Sequence, residues 1–381
     1  MVNNFRLVER KKNGSDISKT RVVLGRVLKI AIYFFIAFLC GEVTARLDDY
    51  MRYRIPFLDQ SSLEEALKIK EFGITRGRPN GRYQRWHLNG YGFRSSQFNI
   101  DDHSKRRIMI LGASESFGTH ESDGKSYVEV LEHSLSGRFQ FINASIIGMP
   151  LAAMHGYWDE WLAQFKPDTV LILASPLFYL DEHPPAGQKR DSEKQPALVK
   201  KRNLRINSRI IQRLKNHFSV PAFIQNLRQE SKIQELIDAH PKDWVFTGPP
   251  EQRLELYKDH LSSLIDKISV VGAKVVVLTQ PLSAVYPSRS EDYSHILGSR
   301  TKRPRATFDV VWAFCQSCNS ITAELAAEKK VDYIDLWASM TGKKDNFADL
   351  NHFSNAGAKI VAEEIITLLS RVYTQDVHPI P

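Results

Sequence analysis

Three residues of this chain are of the types that serine-based acyl transfer requires. Ser114 stands in residues 112–118 (GASESFG), directly after the apolar run 108–111 (IMIL). Asp349 and His352 are three residues apart near the C-terminus. A serine hydroxyl is a poor nucleophile until a base takes its proton, and a carboxylate keeps such a base in the right orientation. The three residues therefore form a candidate nucleophile, base and orienting acid.

The elements that must position these residues alternate between strand and helix from residue 106 onward. The apolar runs predict strands, and 3.6-residue periodicity predicts helices. The predicted strands are 107–112, 139–145, 168–175, 273–279 and 331–336, and the predicted helices are 126–135, 151–164, 251–268, 309–329 and 356–372. This alternation, with continuously apolar strands, indicates a parallel sheet covered on both faces. Ligands bind at the carboxyl ends of such strands, where Ser114, Gly148 and the Asp349–His352 pair fall.

Four segments occur in an order that resembles the SGNH (GDSL-like) hydrolase family, in its membrane-anchored bacterial type. They are residues 89–94 (NGYGFR), 112–118 (GASESFG), 143–148 (NASIIG) and 349–357 (DLNHFSNAG). The resemblance runs from about residue 89 to the last helix. It implies an α/β fold, a flavodoxin-like three-layer sandwich with a central parallel sheet.

The resemblance also implies roles for individual residues. Ser114 would be the nucleophile, His352 the general base and Asp349 the carboxylate that orients it. The backbone N–H groups of Ser114 and Gly148 would form the oxyanion hole. No cofactor and no metal is expected. Each residue also has a structural interpretation, with Ser114 as a helix cap, Asp349 as a turn residue and His352 as a surface histidine. His120, His155 and His183 are weaker candidates.

Two positions depart from the family pattern. Ala113 stands where the first block usually has aspartate, and residues 174–179 (ASPLFY) contain no asparagine where the third block should supply an oxyanion donor. Loss of one such donor typically lowers turnover by about 10²–10³. Asn143 and Ser175 are candidates for support of the substrate or of the oxyanion.

The N-terminal region predicts a membrane segment. Eight Lys/Arg and two acidic residues lie between residues 6 and 29, and residues 30–41 (IAIYFFIAFLCG) carry no charge. Twelve residues are too few to cross a bilayer, but residues 22–45 suffice if the flanking basic side chains reach the headgroups. We expect an uncleaved signal-anchor, with a cleaved signal peptide or a core helix as alternatives. The positive-inside rule would place the chain after about residue 46 outside the cytoplasm.

The predicted organisation has four parts and one insertion. The parts are a basic leader (1–29), the membrane segment (22–45), an irregular lead-in (46–105) and the SGNH-like domain (106–381). The insertion, at about 182–250, has ten Lys/Arg between residues 189 and 215. Within it, an apolar stripe predicts a helix over 206–227, as a solvated cap or as a contact for anionic glycan or lipid headgroups. The stripe consists of Ile210, Ile211, Leu214 and Phe218.

Composition narrows the possible functions. A hydrophobic content of 43% is ordinary for a folded protein, and the net charge of +9 would suit an acidic partner. No zinc-finger spacing or RNA-binding aromatic signature accompanies this charge, so a nucleic-acid partner is not expected. Cys315 and Cys318 form a lone CxxC within a predicted helix and are interpreted as packing residues, with a redox pair or a local disulfide as the alternative.

These observations predict an extracytoplasmic serine acylesterase or O-acyltransferase of the cytoplasmic membrane, crossing the membrane once. Its substrate would be ester-linked acyl groups on carbohydrate, either a cell-envelope or an exported polysaccharide. The alternative, favoured by the absent third-block asparagine, is a catalytically degenerate protein of the same fold that binds glycan or acts as a scaffold. Proteins of an envelope assembly are possible partners in either case.

Overall fold

The computed structural model describes residues 2–58, 67–181, 208–217 and 221–373. The chain divides into two compact units. The first consists of Met1–Ser62 and Lys201–Ser219, and the second of Leu63–Lys200 and Val220–Pro381.

The first unit contains the long helix α1 (Val2–Tyr53) and the short helix α5 (Arg209–His217). Glu42 of α1 holds the start of α5, because its carboxylate accepts hydrogen bonds from the Arg209 N–H at 3.0 Å and the Ser208 hydroxyl at 2.8 Å. The first N–H groups of a helix have no intrahelical acceptor, so this carboxylate satisfies donors that would otherwise need water.

A stretch of α1, Leu24–Tyr53, is the one helix in the described part of the chain that is long and apolar enough to cross a membrane. An 18-residue window within it has a mean hydropathy of 1.9. Phe34 and Phe35 are among several large apolar side chains of this stretch that lie exposed. Helix α1 extends beyond both ends of the predicted segment 22–45.

The second unit is built on five parallel strands in the spatial order β6-β5-β7-β8-β9. Two antiparallel hairpins, β1/β2 and β3/β4, precede this sheet. The strands are β1 (Lys68–Glu71), β2 (Ile74–Gly77), β3 (Arg82–Tyr83), β4 (Trp86–His87), β5 (Arg106–Gly112), β6 (Phe139–Asn143), β7 (Thr169–Leu173), β8 (Lys274–Leu278) and β9 (Asp332–Ile334). The helices are α2 (Ser114–Phe117), α3 (Tyr127–Leu135), α4 (Leu151–Tyr157), α6 (Ala222–Asp238), α7 (Glu251–Val270), α8 (Tyr293–Arg300), α9 (Phe308–Lys329), α10 (Leu336–Met340) and α11 (Asn355–Tyr373).

Strand β5 shows why the sheet is covered on both faces. Ile108 and Ile110 belong to one hydrophobic cluster and Met109 and Leu111 to the other, and all four side chains are fully buried. Successive side chains of a strand point to opposite faces, so a continuously apolar strand requires a core on each side. Each such side chain contributes roughly 1.5–3 kcal/mol when buried. The predicted α/β fold with a central parallel sheet is thereby confirmed.

The predicted single helix over 206–227 is wrong. Helix α5 ends at His217, and α6 begins only after Pro221. Proline has no N–H to donate and disfavours helical backbone in the residue before it, so the apolar stripe cannot continue through Pro221. Phe218 of that stripe, like much of the predicted insertion, lies outside the described residues.

Three other regions differ from prediction in detail. The predicted helix 151–164 leaves α-helical geometry after Tyr157 and continues as a π turn (Trp158–Leu162) and a 3₁₀ turn (Ala163–Phe165). Helix α8 (Tyr293–Arg300) lies where no helix was predicted. The irregular lead-in begins with the last turns of α1 and includes the two hairpins.

Candidate active site

Ser114 is the first residue of α2, in a sharp turn that leaves the carboxyl end of β5. Gly112 permits this turn because a side chain there would collide with its neighbours. An added Cβ would lie 2.4 Å from Ser116 Oγ and 3.1 Å from the Leu173 carbonyl oxygen. As the first helical residue, Ser114 has a backbone N–H without an acceptor inside the helix.

The lead-in motif buttresses this turn. The buried Arg94 donates from Nη1 to the carbonyl oxygens of Phe117, at 2.9 Å, and Gly118, and from Nη2 to Glu129 at 3.1 Å. The guanidinium thus satisfies carbonyl groups at the end of α2 that have no helical partner. No role was predicted for Arg94. The only indication of one in the sequence was its place in the motif that precedes the serine block.

Asp349 and His352 lie in the loop before α11, where the aspartate fixes the local backbone. Asp349 Oδ1 accepts hydrogen bonds from the backbone N–H groups of Asn351 at 3.0 Å and His352 at 2.9 Å. The two carboxylate oxygens also lie 2.9 and 2.8 Å from His352 Nδ1. One carboxylate therefore shapes the turn and orients the ring.

The other ring nitrogen of His352 faces the serine. His352 Nε2 lies 2.8 Å from Ser114 Oγ, although the two residues are 238 positions apart in the chain. A continuous line of hydrogen bonds thus runs from Asp349 through the imidazole to the Ser114 hydroxyl. This arrangement is able to move a proton from the serine to the ring while the carboxylate stabilises the resulting cation.

The pKa values of the pair are shifted in opposite directions. Burial acts to raise the pKa of Asp349, but hydrogen bonds from the His352 ring and from backbone N–H groups outweigh burial, and the pKa falls well below its usual value. Burial acts to lower the pKa of His352, but the Asp349 hydrogen bond and the charge of Glu115 outweigh it and raise that pKa. Asp349 therefore stays ionised, and His352 holds a proton more readily than a free imidazole.

Ser114 and His352 open onto a cavity of about 400 Å³, within the range of about 300–1,000 Å³ common for small-molecule sites. Gly148 lies in the same wall with a φ of 76°, a left-handed conformation that glycine adopts without strain. The other lining residues are mostly polar: Glu115, Ile147, Ser175, Phe178, Asp181, Ser294, His295, Gly298, Ser299, Lys302, Arg303, Ala348, Asp349, Leu350 and Asn351.

A second polar network, which sequence analysis missed, lies on the other side of Ser114. The buried carboxylate of Glu115 accepts hydrogen bonds from the Ser175 hydroxyl at 2.8 Å and from the Asn351 side-chain amide. Its Oε2 lies 3.3 Å from Ser114 Oγ. Ser175, in the third-block position, thus donates to Glu115. The only indication of this network in the sequence was the position of Glu115 directly after Ser114.

Asn143 supports the serine turn rather than the cavity wall. Its buried side chain donates to the Ser116 carbonyl oxygen at 3.0 Å and accepts from the Ser145 N–H at 3.2 Å. Its own backbone N–H donates to Ser95 Oγ at 2.6 Å. Asn143 therefore ties the end of β6 to the turn that carries Ser114.

His120 borders the pair. Its ring centroid lies 4.9 Å from that of His352, and its Nε2 lies 3.9 Å from Asp349 Oδ2. Ligand-type atoms of His120, Asp349 and His352 all lie within 4.8 Å of one another, so this group is the candidate metal site among the described residues. The shared orientation of Asp349 and His352 towards Ser114 fits proton transfer equally well.

The remaining candidates lie elsewhere. His155 hydrogen-bonds through Nε2 to the His260 carbonyl oxygen at 3.0 Å, and His183 lies outside the described residues. Cys315 and Cys318 are buried free thiols in α9, and burial raises the pKa of Cys315 to about 12. Such thiols are inert packing groups, as the sequence indicated.

No protein-family model and no curated protein matches the chain. Solved structures with a similar fold include a lipase/acylhydrolase from Enterococcus faecalis, with 14% identity, a TM-score of 0.42 and coverage of 70% of this chain and 96% of that one. A member of the lipolytic G-D-S-L family from Veillonella parvula has 13% identity, a TM-score of 0.41 and coverage of 70% and 99%. An acetylxylan esterase from Geobacillus stearothermophilus has 13% identity, a TM-score of 0.40 and coverage of 69% and 94%. These similarities concern the fold alone.

Proposed function

We propose that this protein is a serine acyl hydrolase or O-acyltransferase of the SGNH type, with Ser114, His352 and Asp349 as its catalytic triad. The observation that carries the proposal is the hydrogen-bonded line from Asp349 through His352 to the Ser114 hydroxyl, with contacts of 2.8 Å on each side of the imidazole. A serine with a purely structural role does not require a histidine that an aspartate orients towards its hydroxyl at the mouth of a cavity.

The first half-reaction forms an acyl-enzyme. Ser114 Oγ attacks the ester carbonyl carbon while His352 Nε2 takes the hydroxyl proton, and Asp349 stabilises the imidazolium. The carbonyl oxygen becomes an oxyanion that the backbone N–H groups of Ser114 and Gly148 stabilise. When the tetrahedral intermediate collapses, the carbon–oxygen bond to the alcohol breaks and His352 returns its proton to the departing alcohol.

The second half-reaction releases the acyl group. Water or a sugar hydroxyl attacks the acyl-serine, again with His352 as base, and Ser114 leaves as its protonated hydroxyl. Attack by water makes the protein an esterase, and attack by a sugar hydroxyl makes it an O-acyltransferase. The bound acyl group is the same in both cases, so the second nucleophile alone separates the two activities.

The proposed substrate is an ester-linked acyl group on carbohydrate, either an envelope or an exported polysaccharide. Three side chains of the cavity wall support this choice, because Ser294, His295 and Ser299 offer hydroxyl and imidazole groups that suit sugar hydroxyls better than acyl chains. The apolar stretch Leu24–Tyr53 and the preceding basic leader support a single-pass membrane anchor with the second unit outside the cytoplasm.

Labelling with a fluorophosphonate probe tests the proposal. The full chain in detergent would be compared with Ser114→Ala, His352→Ala and the control Ser263→Ala, which alters an exposed serine of α7. We expect the parent and the control to be labelled and the first two variants to remain unlabelled. A folded parent that takes no label would contradict the proposal.

A specific observation favours a second candidate, a non-catalytic glycan-binding protein of the same fold. The hydroxyl of Ser175, at the position of the third-block donor, is committed to Glu115 rather than to an oxyanion. An unlabelled parent that still binds glycan in its cavity would establish this alternative.

A further inference from the structure

The cavity beside Ser114 is lined by charged side chains of both signs. Near the serine, the carboxylate of Glu115 is 2% exposed and is held by Ser175 and Asn351. The same cavity is lined by the exposed side chain of Lys302, which takes part in none of the ion pairs formed by the described residues. Lys302 is therefore available to a ligand, whereas Glu115 is not.

The other charges of the cavity wall are paired. Asp349 is bound to His352 at 2.8 Å, and Asp181 lies 3.0 Å from Arg303 Nε. An ion pair has little field at a distance, so the positive charge that a ligand meets at this wall comes mainly from Lys302.

The backbone that carries Lys302 is held in place. The neighbouring Arg303 is buried and donates from Nε to the Leu177 carbonyl oxygen and from Nη1 to Ser299 Oγ, both at 2.9 Å. The Lys302 N–H also donates to the Ser299 carbonyl oxygen at 3.2 Å. The lysine thus stands on a fixed segment of the wall, where only its side chain needs to adjust to a ligand.

The part of the cavity wall around Lys302 is also close enough to the Ser114 site to act on the same ligand. Lys302 and His352 line the same cavity, and burial and the charge of Lys302 both oppose the rise in the pKa of His352 that Asp349 and Glu115 cause. The lysine therefore lies within electrostatic range of the Ser114 site. His295 lines the same wall and uses Nδ1 to contact Ser283 Oγ at 3.0 Å, while no contact of its Nε2 is found among the described residues. A ligand bound at Lys302 would therefore meet imidazole and hydroxyl groups beside the charge.

We propose that the substrate is an anionic carbohydrate whose carboxylate or phosphate, close to the scissile ester, binds Lys302. This inference rests on the proposed function and adds the charge class and orientation of the substrate. The anion would lie against Lys302, so that the ester is presented to Ser114. A neutral sugar ester would fit the cavity but gain nothing from this charge.

The test compares three acetylated methyl glucosides that differ at C6: one with the neutral hydroxymethyl group, one with a free carboxylate (the methyl glucosiduronate) and one with a 6-phosphate. Hydrolysis by the full chain in detergent would be measured for the parent, Lys302→Ala, Lys302→Glu and the control Lys359→Ala. Lys359 lies on α11, has a side chain that is 71% exposed and pairs with Glu363 outside the cavity. The two anionic esters separate a carboxylate preference from a phosphate preference.

We expect the parent to show a KM for at least one anionic ester that is about fivefold lower than for the neutral ester, with a similar kcat. Lys302→Ala should abolish this difference and Lys302→Glu should reverse it, whereas Lys359→Ala should leave it unchanged. Added salt should weaken the preference. Equal KM values for all three esters in the parent, or a preference that survives in Lys302→Ala, would overturn the inference.

Failure of the proposed function would look different. Calorimetric binding of the same esters to Ser114→Ala reports the charge preference without any chemistry, and the Ser114→Ala/Lys302→Ala double variant is its control. An inactive parent whose Ser114→Ala variant still prefers anionic sugars through Lys302 would support the inference and contradict the triad. An active parent without charge preference would do the reverse.

Discussion

Two polar systems meet at Ser114, and they differ in what they are able to do. On one side, Asp349 and His352 form a line of hydrogen bonds that ends on the serine hydroxyl and includes an imidazole able to take its proton. On the other side, the buried Glu115 carboxylate accepts hydrogen bonds from Ser175 and Asn351, which hold it in place. The first system suits chemistry, and the second suits the assembly of three separate chain segments around the serine.

The largest expected effect is the loss of activity when Asp349, the acid that orients the base, is replaced. Asp349→Asn should lower kcat by about 10⁴, because an amide favours the wrong imidazole tautomer and does not stabilise its cation. The measurement is ester hydrolysis by the parent and the variant, with circular dichroism as the check on folding. A loss below tenfold would show that Asp349 does not orient the base.

Removing the second system should chiefly cost stability. Glu115→Ala leaves the buried Ser175 hydroxyl and Asn351 amide without their acceptor, and each unsatisfied group costs about 1–3 kcal/mol. Denaturant unfolding should therefore report a loss of several kcal/mol. An unchanged unfolding midpoint would mean that the network does not hold the segments together.

The carboxylate of Glu121, close in sequence to Ser114, differs from both systems. Its oxygen Oε1 is buried and has no hydrogen-bond partner in the described structure. Glu121 is buried, and burial raises its pKa from 4.5 to about 7. The folded state holds this proton more tightly than the unfolded state, so stability falls as pH rises from about 4.5 to about 7. Glu121→Gln avoids that cost and should stabilise the protein by about 3 kcal/mol at pH 8.

Unfolding of Glu121→Gln and the parent at pH 4 and pH 8 checks this prediction. The variant should gain stability only at the higher pH. An equal difference at both values would mean that the effect does not come from ionisation of Glu121.

The smallest expected effect is a shift in the pH dependence of kcat/KM, which reports the influence of Glu115 on His352. Activity requires neutral His352, so kcat/KM should fall as pH drops through the raised pKa of His352, above its usual value of about 6.5. The charge of Glu115 contributes to that raised pKa. Glu115→Gln should therefore move the acid limb to lower pH by less than about one unit. A shift to higher pH would contradict the assignment.

Much of the fold follows from local patterns. The apolar runs 108–111 and 169–173 and the periodicity of α7, α9 and α11 were sufficient to predict the parallel sheet and its covering helices. The break between α5 and α6 was not predicted, because the apolar stripe indicated one continuous helix although Pro221 interrupts it. Helix α8 was missed because its serines and tyrosine resemble a loop.

The candidate site was predictable only where a motif carries it. Ser114, Asp349 and His352 lie together as the motif order indicated. The Glu115 network joins residues 236 positions apart, so nothing local in the sequence marks it. The buttress formed by Arg94 likewise depends on how α2 packs, which single-sequence patterns do not contain.

The most direct test of the central claim is to trap the acyl-enzyme. The full chain would be mixed with 4-nitrophenyl acetate, quenched in acid and digested, and the peptide that contains Ser114 examined by mass spectrometry. The triad predicts acetylation of Ser114 in the parent and none on that peptide in Ser114→Ala or His352→Ala. A folded parent without acetyl on this peptide, or acetylation at an unchanged rate in His352→Ala, would contradict the account.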